Sequence, residues 1–200
     1  MIGTPDAGAA ATCPANVPAL LKGFAAVTNI SVDFVEEKHV ALLKRPLVNK
    51  GTVVFAAPDQ LVRRVDAPVP TAVWIKGGSL WMRDAHGSKL VDVAQWGPAN
   101  VLINSFLYVL QGDTASLQQH YEMSLACAGT TWHLTLIPRQ PDLRKVLQRL
   151  EINGAGPDVT QLSLLDGNGD LSVTRFGKPN KAVRHSPAQL QQFFASPASR

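Results

Sequence analysis

The stretch KGTVVFAAPDQLVRRV (residues 50–65) decides the fold class. Pro58-Asp59 is a turn signal between two runs rich in β-branched and aromatic residues, so the stretch reads as two strands and a connection. Side chains alternate across a strand, which puts Val53, Phe55 and Ala57 on one face and Val54 and Ala56 on the other. Both rows are apolar. A strand apolar on both faces has to be covered on both, so a second layer must come from elsewhere in the chain.

Downstream, short strands follow at 61–66, 71–76, 79–83 and 89–93, separated by turns at Ala67-Pro68, Gly77-Gly78 and Ala85-His86-Gly87. Such regular spacing predicts an antiparallel meander. Upstream, ISVDFVEEK sets Ile30, Val32 and Phe34 against Ser31 and Asp33, a strand with one buried face. ALLKRPL (41–47) ends near Pro46 and reads as a loop or frayed edge. Before these, NVPALLKGFAAVTNI has a capping Asn16, a first-turn Pro18 and apolar residues at helical spacing, which predicts an opening helix over 16–28.

From 97 the pattern changes. GPANVLINSFLYVLQGD carries only a narrow polar stripe of Asn100, Asn104 and Gln111 on an otherwise apolar helix, and a helix of that kind is covered on most sides. Asp113 caps a second helix, TASLQQH. Strands resume at 121–127, 131–137, 147–152, 159–165 and 171–176, and SPAQLQQFF (186–194) is a closing helix. The fold class is therefore α+β: an incomplete antiparallel β-barrel, a curved sheet of about ten or eleven strands, with helices capping its concave apolar side. Residues 1–15 read as a flexible segment and 16–200 as one domain.

Composition narrows the function. Of 200 residues, 46% are hydrophobic and 17% charged, which argues for a folded core. The net charge of +4 is spread over scattered pairs such as Lys44-Arg45 and Arg63-Arg64; nucleic-acid binding wants a concentrated stripe with aromatics, so no nucleic-acid partner is expected. A general positive field still suits an anionic membrane surface. The longest apolar region, VLINSFLYVL, falls short of the roughly 18 apolar residues of a membrane span. The N-terminal MIGTPDAGAAATC lacks the basic and apolar regions of a signal peptide, leaving a cytoplasmic chain or a mature form with an added Met as the two readings.

The two cysteines, Cys13 and Cys127, do not have the spacing of a paired metal site. They form a disulfide in an oxidising compartment or stay separate; Cys13 as a lipid-attachment residue lacks a preceding apolar stretch. The turn DGNGD (166–170) has alternating oxygen side chains, but Leu171 and Gly177 stand where a calcium loop needs Gly and Glu, so it is a hairpin turn. Nucleophile elbow, phosphate loop and zinc-helix motifs are missing, and the five histidines stand apart from one another. The expectation is no enzyme, no metal and no cofactor. What remains is a surplus of apolar surface, which either lines a cavity between sheet and helices or forms a filled core.

Taken together, the opening helix, VDFVEEK, KGTVVFAAPDQL, VDAPVP, WIKGGSLWM, the helix ANVLINSFLYVLQGD and the GNGD hairpin resemble the LolA family of periplasmic lipoprotein carriers over residues 16–177. The resemblance implies a lid helix at 99–110 over an apolar cavity that shields acyl chains in the periplasm. The two-faced apolar pattern of 51–57 and the nearly all-apolar helix give Phe55, Leu61, Trp74, Trp81, Met82, Leu102, Phe106 and Leu110 as ligand-facing positions, with the inward face of each strand left open. The resemblance further implies a monomer that receives a lipidated protein or another acylated ligand from an inner-membrane donor and passes it to an outer-membrane acceptor. Two positions depart from the family pattern: Ala57 stands where carriers usually have an arginine that ties barrel to lid, and Arg63 where an aromatic is common. Other readings are a carrier of an outer-membrane lipid or polyene pigment, and a noncatalytic interaction module with a filled core.

Overall fold

A computed structural model describes residues 13–92 and 98–195. Its described strands are β1 (Asn29–His39), β2 (Leu47–Ala56), β3 (Gln60–Ala67), β4 (Thr71–Lys76), β5 (Ser79–Asp84), β6 (Gly87–Val91), β7 (Tyr121–Ala128), β8 (Thr131–Pro138), β9 (Leu147–Ala155), β10 (Asp158–Asp166) and β11 (Leu171–Phe176). They form one antiparallel sheet in the order β6-β5-β4-β3-β2-β1-β11-β10-β9-β8-β7. The terminal strands β6 and β7 do not pair, so the barrel stays open. Two meanders, β1 to β6 and β7 to β11, meet where β1 pairs with β11 in the register Phe34 to Phe176.

The helices are α1 (Val17–Ala25), α2 (Pro98–Gln111), α3 (Thr114–His120), α4 (Pro141–Arg144) and α5 (Pro187–Ala195). The side chain of Asn16 accepts the Ala19 amide at 2.9 Å, which caps α1 as its sequence predicts. Asp113 accepts both the amide and the hydroxyl of Ser116, and these bonds hold its carboxyl below the usual range. Helix α4 is one turn in a stretch that the sequence reading leaves unassigned. At the other end of the meander, β2 starts at Leu47 rather than 51 because residues 47–50 find partners on β1 from Lys38 to Val35. Pro46, with no amide to give a ladder, marks where that pairing stops.

Register divides the sheet into two faces. Phe55, Leu61, Ile75, Leu80 and Val91 stand in one row across β2 to β6. Following the ladders the other way, Val32 and Phe34, then Thr174, Leu162, Ile152 and Leu134 lie on the same face. This inner face takes α2. The alternate residues, Val54, Val62, Trp74 and Trp81, form the outer face, and α5 lies on them.

That arrangement answers what covers strand 50–57 on its second side. Leu190 and Phe194 of α5 close over Val54, Ala56, Val62 and Ala72, so the second layer comes from the far end of the chain. Gly51 is required where β2 bends against β3, because a Cβ there would stand 1.9 Å from the Arg64 carbonyl oxygen. Cys13 and Cys127 are disulfide-bonded, with Cα atoms 6.1 Å apart, and tie the start of the described chain to β7. The remainder of the segment expected to be flexible, residues 1–12, lies outside the described residues, as does position 93 of the expected strand 89–93.

Candidate ligand-binding face

Helix α2 spans the inner face and meets its two halves differently. On the β7–β9 side, Val101, Leu102, Phe106 and Val109 pack into the large core built on Leu134, Leu136, Leu150 and Ile152, together with α1, α3 and α4. Ser105 is fully buried there, donates to the Val101 carbonyl at 2.6 Å and shares a hydrogen bond with the Tyr121 hydroxyl at 2.8 Å. Burial pushes the Tyr121 phenol above its ordinary value, opposed by its hydrogen bond with Ser105. On the β3–β6 side, Ile103 and Leu107 rest on Ile75, Leu80, Val91, Leu61, Val73 and Met82. One polar tie on this side is Gln111, whose Nε2 donates to the Pro58 carbonyl at 2.9 Å.

Between these anchored edges the apolar lining is incompletely covered. Val53, Leu61, Val73 and Met82 on the sheet and Leu102, Ile103 and Phe106 on α2 are all half-buried. A filled core would bury aliphatic side chains of this size almost fully, as Leu134 and Leu136 are. Arg63 stands in the same cross-strand row as Val53, Val73 and Met82, and from there towards β1 the inner face turns polar. Arg63 donates to Glu36 at 2.9 Å, Asn49 donates to the same carboxylate oxygen at 2.7 Å, and the Arg63 guanidinium lies 4.5 Å above the Phe34 ring. The inner face therefore has an apolar end beneath α2 and a charge-balanced end towards the β1–β2 hairpin.

The expected ligand-facing residues divide accordingly. Leu61 and Met82 are brought together on the inner face under α2, and Leu102 and Phe106 project from that helix; Leu110 is half-buried on it. Phe55 is on the same face but only 1% exposed, so it forms floor rather than open lining. Trp74 and Trp81 are corrected: they lie on the outer face, their rings 5.6 Å apart, with Trp74 also 5.6 Å from Phe194 of α5. Alternation gives two apolar rows in β4 and β5, and side-chain type alone does not mark which row faces α2. The sequence reading missed Val73, Ile103, Leu107 and Tyr121; the polar stripe on α2 pointed to Gln111 without giving its partner.

The outer face holds its own cleft, about 420 Å³, lined by Arg64, His185, Gln189 and Phe193 among others. Burial lowers the His185 pKa below its ordinary value, and its ring meets Phe193 edge-on at 5.2 Å. At the opposite end of the sheet, the Asp166 carboxylate accepts the amides of Asn168 and Asp170 in the DGNGD turn, which makes it a turn-forming residue.

The family described as outer membrane lipoprotein carrier protein LolA-like matches residues 7–193. The chain belongs to this family. Among solved structures, this LolA-like chain is similar to a putative outer membrane lipoprotein-sorting protein domain from Vibrio parahaemolyticus, at 6% identity and a TM-score of 0.52, covering 88% of this chain and 95% of that one. It is also similar to the MucA/MucB complex structure of Pseudomonas aeruginosa, at 15% identity and a TM-score of 0.53, where 88% of this chain spans 60% of the matched one. A LolA superfamily protein from Nitrosomonas europaea matches at 12% identity and a TM-score of 0.47, with 89% and 97% covered. At these identities the likeness concerns the open-barrel fold. No curated protein matches the sequence. No helix among the described residues is long and apolar enough to cross a membrane.

Proposed function

We propose that this LolA-like chain is a periplasmic carrier that holds the acyl chains of a lipoprotein or lipid between α2 and the inner face of the sheet and moves them towards the outer membrane. The observation that carries the reading is the half-buried apolar lining of Val53, Leu61, Val73 and Met82 beneath Leu102, Ile103 and Phe106. Each methylene transferred there from water contributes about 0.8 kcal/mol, so a partly enclosed chain is held without a cofactor or a covalent bond. The Arg63–Glu36 end offers charge and hydrogen-bonding groups to a polar head. Membership of the LolA-like family supports carriage, and the cargo is the step beyond it.

Native mass spectrometry and lipid extraction of the purified protein, with binding of an apolar fluorophore, test the reading. A co-purifying acylated molecule and fluorophore uptake that falls in Phe106→Asp and Met82→Asp variants of native circular dichroism are expected. A protein that carries nothing and takes up no fluorophore overturns it in favour of an interaction module. An extracted polyene or other non-acylated apolar molecule keeps carriage and replaces the cargo.

A further inference from the structure

The β1–β2 hairpin ends in residues that fit a surface outside this chain. Leu42 is 94% exposed, and Leu43 and Leu47 are 47% and 50% exposed. The tip is a formed turn: the Leu43 amide donates to the Val40 carbonyl at 2.9 Å, and the Ala41 amide donates to Asp170 at 3.1 Å, which fastens it to the β10–β11 turn. Lys38, Lys44, Arg45 and Lys50 lie on the same hairpin as these leucines, and residues 38–50 contain no carboxylate. Among the described residues, none of these cations joins an ion pair. The neighbouring acids are engaged: Glu36 with Arg63, Glu37 with Arg175 and His39, and Asp170 with the tip backbone.

Exposed leucines on a hairpin whose cations join no ion pair among the described residues are complementary to a surface with hydrocarbon just below a layer of negative charge. An anionic phospholipid leaflet has that profile across a few ångströms, whereas water leaves the leucines hydrated and a neutral surface leaves the cations unmatched. We propose that the β1–β2 tip docks the protein on an anionic phospholipid membrane, inserting Leu42 and Leu43 at the acyl boundary with Lys38, Lys44, Arg45 and Lys50 on the head groups. Leu47 is eight residues along β2 from Phe55, about 26 Å at strand rise. Docking therefore turns the polar end of the inner face towards the leaflet and keeps α2 away from it. This placement goes beyond the carrier reading and does not depend on it.

The test is co-sedimentation of the full chain with vesicles of mixed phosphatidylglycerol and phosphatidylcholine, and with phosphatidylcholine alone, at low and high salt. Binding to the anionic vesicles that weakens with salt is expected. Lys44→Ala lowers the partition coefficient about fivefold, and Leu42→Asp lowers it about tenfold or more. Both substitutions are at exposed positions remote from α2, so uptake of the apolar fluorophore stays unchanged and the two readings fail separately. Equal binding to both vesicle types, absence of sedimentation, or unchanged partition of Leu42→Asp overturns the proposal. So does a tip-dependent dimer in analytical ultracentrifugation with no vesicle binding, which assigns the leucines to a second copy.

Discussion

Gln111, the last residue of α2, donates its side-chain amide to the carbonyl of Pro58, next to Ala57. Beside the apolar contacts of α2, this neutral hydrogen bond ties the end of the helix to the β2–β3 turn. A neutral bond contributes about 0.5–1.5 kcal/mol net. Gln111→Ala should therefore speed release of a bound apolar fluorophore by about 2- to 10-fold with little change in melting temperature. Stopped-flow displacement reads this directly, and an unchanged rate would remove Gln111 from the closure.

The opposite edge of α2 should resist movement, because Ser105 and Tyr121 bury their mutual hydrogen bond in the main core. Tyr121→Phe removes that bond while Ser105 still has the Val101 carbonyl, so the expected loss is about 1 kcal/mol, or roughly 2–4 °C in a domain of this size. The raised phenol pKa adds a sign. Above the ordinary value of 10.0 the unfolded chain loses this proton while the folded one retains it, so stability falls as pH rises through that value. Denaturant melts between neutral and alkaline pH should show a shallower decline in Tyr121→Phe.

The Cys13–Cys127 bridge closes a separation of 114 residues. In the chain-entropy model a loop of that length contributes about 4–5 kcal/mol by restricting the unfolded chain. Reduction under native conditions should lower the denaturation midpoint accordingly, and thiol counting on denatured, unreduced protein should find no free thiol. Two titrating thiols in protein from an oxidising compartment would contradict the pairing.

On the outer face, α5 should be the part that responds to acid. Desolvation lowers the His185 pKa, so below 6.5 the undocked segment takes up a proton before the docked one, and docking weakens as pH falls; Arg64 in the same cleft is the cation facing it. Trp74 and Trp81 lie beneath α5, so their fluorescence should shift to the red on mild acidification, and already at neutral pH in Leu190→Asp. His185→Phe should abolish the acid step, whereas an identical step in that variant would assign it to another group.

Local rules made most of the elements legible. The Asn16 and Asp113 caps, the Gly and Pro turns and the alternation of β1 need only neighbouring residues, because capping, turn geometry and strand periodicity act over a few positions. That α2 is covered on most sides was legible from its apolar circumference, and the face taken by Trp74 and Trp81 was not.

Alternation along residues 50–57 is enough to show that β2 is apolar on both sides and needs two covers. Which cover goes where follows from packing: Leu61, Ile75 and Leu80 meet α2, and Val54, Val62 and Trp74 meet α5. Hydrophobic burial is non-directional, so either apolar row satisfies either helix as far as composition goes. The choice is made by long-range register and by the anchoring of α2 through Ser105 to Tyr121 and through Gln111 to Pro58, contacts between residues 16 and 53 positions apart that no local pattern encodes.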